Sequence, residues 1–132
     1  MPEDQLRKHV DEFILGRIRT VPHLEALLLV WNKRPNTWTA EQMSRALYIP
    51  AELADSILHD LSAQGLIRES AESPGIYDYQ SSSREQDSLL AAVDTTYRRE
   101  LIRVTRMIHS KTPSALQEFA RAFRITKDKG KD

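Results

Sequence analysis

Apolar residues recur along most of the chain at steps of three and four, the period of amphipathic helices. Leu6, Val10, Phe13, Ile14 and Ile18 share one stripe and predict a first helix over about residues 3–17, with Gly16 and Pro22 marking its break. "HLEALLLVWN", His23 to Asn32, is apolar nearly all round. A helix with so little polar surface has to be covered on more than one side, which makes it the central element. "NKRPN" ends it, because a proline pushes the preceding residue out of the helical region. "TAEQMSRAL" follows, with Thr39 and Gln42 spaced as a capping box and Met43, Ala46 and Leu47 as inward positions. Pro50 suits the first position of the next helix, where Leu53, Ile57 and Leu61, helped by Leu58, make the expected buried stripe. Gly65 stops that helix by taking the left-handed conformation that other residues resist.

The pattern then shortens. "LIRES" and "GIYDYQ" read as strands joined by "AESPG", and Pro74–Gly75 suits a type II turn, so the segment is a hairpin. "SSSREQ" is polar and also starts a helix, with Ser82–Glu85 or Ser83–Gln86 as the capping pair. Leu90, Val93, Tyr97, Leu101, Val104 and Ile108 predict one long helix to about Ser110. Thr112 and Pro113 open a last short helix bearing Leu116, Phe119, Ala120 and Phe123, and "KDKGKD" is a solvated tail.

The order of helix, capped helix, turn, helix ending "AQGLI" and hairpin resembles the winged helix-turn-helix family of bacterial transcriptional regulators. "WTAEQMSRALYIPAELADSILHDLSAQGLIRE" and "SPGIYDY" carry the resemblance. The flanking helices are similar in layout to MarR-like regulators. The fold class expected is mainly α with a small β-hairpin, a winged helix-turn-helix with one N-terminal and two C-terminal flanking helices. Residues 1–22 would be the N-terminal helix, 23–80 the winged unit, and 81–132 the long helix, short helix and basic tail. The resemblance implies that the third helix of the winged unit enters the major groove while the wing touches phosphates or the minor groove. By position, its outward face is Ala51, Glu52, Asp55, Ser56, His59 and Ala63. The same layout implies a homodimer built through the terminal helices.

Charge changes this picture. The chain has no net charge, yet residues 23–80 carry four basic against eight acidic groups and residues 81–132 eleven against seven. The outward face of the third helix holds Glu52 and Asp55 with no Lys or Arg, and none lies between Pro74 and Ser83. DNA affinity comes largely from phosphate neutralisation, so acidic groups on a docking face oppose it. The expectation is therefore a non-enzymatic regulatory module that binds a protein partner. The alternative is a DNA-binding regulator of MarR-like build, helped by basic groups outside the winged segment. Arg99, Arg103 and Arg106, spaced to share one face of the long helix, are candidates for docking an acidic surface of a second subunit or another protein and, in the alternative, for that help.

Composition supplies the exclusions. With 40% hydrophobic and 29% charged residues the chain reads as an ordinary globular one. It has no cysteine, which fits a reducing cytoplasm. "MPED" is not the start of a signal peptide, and "ALLLVW" is too short to span a bilayer, so a cytoplasmic protein without membrane attachment is expected. His9, His23, His59 and His109 are scattered, and Asp55 with His59 supplies only two ligands. No catalytic residue, metal site or cofactor is expected.

Overall fold

A computed structural model describes residues 3–111. The elements are α1 (Glu3–Arg17), α2 (Val21–Asn32), α3 (Ala40–Leu47), α4 (Ala51–Ala63), β1 (Arg68–Glu69), β2 (Tyr77–Asp78), α5 (Arg84–Arg99) and α6 (Leu101–Lys111). The short helix expected around Leu116, Phe119, Ala120 and Phe123 lies outside the described residues. Helix α2 is the hub, as its composition demands: it touches α3, α4, α5 and α6, and His23, Leu24, Ala26, Leu27, Leu28, Val30 and Trp31 are buried along it. Its start is capped by Thr20, whose hydroxyl accepts from the His23 amide, with Pro22 in the first turn.

The winged unit forms as its caps direct. Thr39 and Gln42 make the reciprocal capping box of α3. Helix α4 ends in a Schellman motif: the Gly65 amide donates to Ser62 O at 2.9 Å and the Leu66 amide to Leu61 O at 3.0 Å, with both leucines buried. Gly65 has φ +74°, and a Cβ there would meet nothing within 4 Å. Gly65→Ala is therefore expected to lower stability by about 1 kcal/mol through the backbone alone. A urea unfolding curve with unchanged slope and a lower midpoint would show it.

β1 and β2 pair antiparallel, with Arg68 opposite Asp78 and Glu69 opposite Tyr77. The Ile76 amide closes the Pro74–Gly75 turn onto Ser73 O at 3.1 Å, with Gly75 at φ +89° as a type II turn requires. Trp38 bridges to Tyr77 on the other side and adds a third short strand segment.

Four expectations need correcting. Ala46 is exposed, because the inward face of α3 is the Ala40, Met43, Leu47 spacing. Leu53 is 42% exposed; the buried stripe of α4 is Ala54, Ile57, Leu58 and Leu61, and Leu53 sits at its flank. Pro50 is the N-cap of α4 rather than its first residue, with ψ 148°. The single long helix is two helices, broken at Glu100 with φ −128° and ψ 47°. Spacing counted through the break fails: Val104 and Ile108 are buried on α6, but Leu101 is 49% exposed.

The break is held from α1. Arg7 donates to both Glu100 carboxylate oxygens at 2.9 Å, and Arg103 donates to Glu100 at 2.7 Å and to Asp11 at 3.2 Å. The Arg7 hydrogen bonds, then those of Arg103, hold the Glu100 carboxyl down at about 2 from an ordinary 4.5. A carboxyl whose folded value is depressed contributes stability above its unfolded value and loses it as pH falls toward the folded one. Glu100→Gln should thus lower the thermal midpoint at neutral pH. The difference from the parent chain should shrink from about pH 4.5 downward and vanish near pH 2.

Candidate interaction face

Helix α4 turns the expected outward set to solvent: Ala51, Glu52, Asp55, Ser56, His59 and Ala63 are all exposed. At 100° per residue they span less than half the helix circumference, opposite the buried Ala54–Leu58–Leu61 side. His59 also reaches the hairpin, its Nδ1 standing 3.3 Å from the Tyr77 hydroxyl. The buried Tyr77 hydroxyl is pushed above its ordinary 10 by burial and then by the charges of Glu69 and Asp55. Burial is the larger cause, and the two carboxylates act in the same direction.

The wing also carries carboxylates. Glu69 is turned inward to accept from the Gly75 amide at 2.8 Å, and Glu72 is exposed. Arg45 on α3 and Arg68 on β1 are exposed and in no ion pair among the described residues. Both come from elements flanking α4 rather than from α4 itself.

The arginine row of the C-terminal helices is not one free face. The break at Glu100 separates Arg99 from Arg103, and Arg103 is spent on Asp11 and Glu100. Arg99 and Arg106 remain exposed.

Three features escaped the sequence reading. Tyr48 caps α3 in the left-handed conformation, φ 57°, and is 94% exposed. An L-residue there costs roughly 1–2 kcal/mol, and bulky side chains rarely accept it. Asparagine or glycine would be the ordinary choice, so a tyrosine at the "YIP" turn was the available signal.

The second feature is a pair of bolts that fix α4 against the α1–α2 junction. His23 is buried, with Nε2 at 2.9 Å from Asp60 and Nδ1 at 2.6 Å from the Thr20 hydroxyl. Arg17 donates to the Gln64 carbonyl at 2.6 Å, and the Gln64 amide donates back to Arg17 O at 2.8 Å. Spacing along the chain gives no hint of contacts between residues 37 and 47 positions apart.

The third is the α1–α5 seam, which leaves open grooves of about 720 and 580 Å³ that share Leu6. Among the described residues no three His, Asp or Glu side chains gather as a metal would need. Nor is any described helix long and apolar enough to cross a membrane.

No family model matches the chain, and no curated protein is similar to it in sequence. Among solved structures the chain is similar to a MarR family protein from Bacillus stearothermophilus, with a TM-score of 0.50 and 15% identity. The similarity covers 98% of this chain and 87% of that one. The likeness is one of fold: six helices among the described residues and a two-stranded hairpin in the order of a mainly α winged helix.

Proposed function

We propose that the protein is a non-enzymatic transcriptional regulator of MarR-like build, which binds DNA with α4 and the wing as a two-fold dimer. The observation that carries this reading is the similarity to a MarR family protein over nearly the whole chain, flanking helices included. Two local features support it. The outward positions of α4 are exposed among the described residues, and the bolts from His23 and Arg17 tie that helix to the α1–α2 junction. Arg45 on α3 and Arg68 on β1, both exposed on elements that precede and follow α4, are the groups we assign to phosphates. Leu101 and Ile102, 49% and 64% exposed, together with the α1–α5 grooves, offer the apolar surface that a dimer through the terminal helices requires.

A second reading is favoured by one specific observation: α4 presents Glu52 and Asp55 and no cation. That face suits a basic protein surface better than a phosphate backbone. Fluorescence anisotropy of a labelled duplex, titrated at low and at physiological salt, decides between them. Binding at micromolar concentration that weakens steeply with salt establishes the DNA reading. No binding at low salt removes it and leaves the winged unit as a protein-binding module.

A further inference from the structure

Of the chain's four tyrosines, three pair their hydroxyls within the fold: Tyr77 with His59, Tyr79 with Asp87 and Tyr97 with Glu25. Tyr48 does not. It is 94% exposed, and its hydroxyl has no hydrogen-bond partner among the described residues. Its backbone stands at φ 57°, a conformation that costs a tyrosine stability and that glycine would take freely. The turn enforces this position. The Tyr48 and Ile49 amides both donate to Ser44 O, the second at 3.1 Å, and the Ser44 hydroxyl donates to Ile49 O at 2.5 Å. Pro50, at φ −60°, then fixes the entry into α4. A costly conformation held this firmly, on a side chain that adds nothing to the core, points to contact with a ligand.

Its place in the fold says which ligand. In a helix-turn-helix the first helix, here α3, crosses the phosphate backbone, while the start of the second, here α4, reaches base edges. A residue at the turn between them lies at the rim of the groove. Tyr48 occupies that turn, three positions after the exposed Arg45 and three before α4 begins at Ala51. Half or more of the hydrogen bonds that proteins make to DNA go to phosphate and sugar, and tyrosine hydroxyls are among the donors. A neutral donor suits this site, because the outward face of α4 holds Glu52 and Asp55 and no cation of its own.

We propose that Tyr48 positions the protein on DNA: its hydroxyl donates to a phosphate oxygen at the rim of the major groove, and its ring lies against the adjoining sugar. This role rests on the DNA reading of α4 and leaves the terminal helices free for the dimer. A phenol is uncharged, so its contact adds affinity without releasing a counterion, unlike a contact from Arg45.

The test is fluorescence anisotropy of the full chain on two labelled duplexes of unrelated sequence, one AT-rich and one GC-rich, across a salt series. Tyr48→Phe keeps the ring and the fold and should weaken both complexes about 10-fold, with an unchanged logarithmic salt slope. Arg45→Ala should instead reduce that slope by about 0.9. Tyr48→Gly also removes the ring, so its affinity should fall further, while relief of the left-handed strain raises its thermal midpoint by about 2–5 °C. Binding that weakens as the chain becomes more stable cannot come from damage to the fold. Parent-like affinity in both Tyr48 variants overturns the proposal, as does a loss confined to one duplex or a changed slope in Tyr48→Phe. A parent chain that binds neither duplex at low salt removes the DNA reading and this role together. A parent that binds while both variants match it removes this role alone.

Discussion

Truncating Leu27 to alanine is expected to lower the unfolding free energy by about 2–5 kcal/mol, a large share of the roughly 5–15 kcal/mol that holds a domain together. Leu27 is fully buried in α2, which touches α3, α4, α5 and α6. Neighbours on several sides leave little room for collapse into the space vacated, so the cavity term is added to the lost transfer energy. In urea, with a slope of about 2 kcal/mol/M, the midpoint should fall by roughly 1–2.5 M. Leu53→Ala supplies the contrast. The same atoms are removed from a residue 42% exposed at the flank of α4, and the change should stay near 0.5 kcal/mol. Equal losses at the two positions would show that the core is not centred on α2.

The contrast also marks what can be read from the residues alone. Helix α2 was legible because an element apolar on all sides has one physical solution, burial between layers. The Thr39–Gln42 box, Gly65 and Pro74–Gly75 were legible because caps and turns are local chemistry that no distant contact needs to confirm. Leu53 was misplaced because a helical stripe is wider than one row, and only the position of α2 and α3 decides which of Leu53 and Ala54 is covered. The break at Glu100 was illegible for a stronger reason. Glutamate is a good helix former, and what ends the helix is its grip by Arg7, 93 residues away, together with Arg103. The same contacts took Arg103 out of the exposed row. At the candidate face the outward positions of α4 followed from periodicity. Tyr48 did not, since an exposed residue leaves no periodic trace, and the His23–Asp60 and Arg17–Gln64 bolts exist only after folding.

Reversing charge on that face should have the largest effect on binding. In the DNA reading, Glu52 and Asp55 oppose the phosphates of a docked duplex, and at a separation of about 8 Å each unit interaction is worth about 0.5 kcal/mol in water. Glu52→Lys with Asp55→Lys turns two repulsions into two attractions. The expected gain in duplex affinity is of order 10- to 100-fold at low salt, at about 1.4 kcal/mol per tenfold. The salt dependence should steepen as well, by about 0.9 in the logarithmic slope for each phosphate newly neutralised. Both residues are exposed and in no ion pair among the described residues, so the fold should be unaffected. The protein-partner reading predicts the opposite sign in its own assay: the variant loses a partner that its parent captures, while DNA stays unbound. A gain in DNA affinity with an unchanged salt slope fits neither, because added phosphate contacts cannot leave counterion release untouched. The slope, rather than the affinity, therefore reports whether α4 lies against the phosphate backbone.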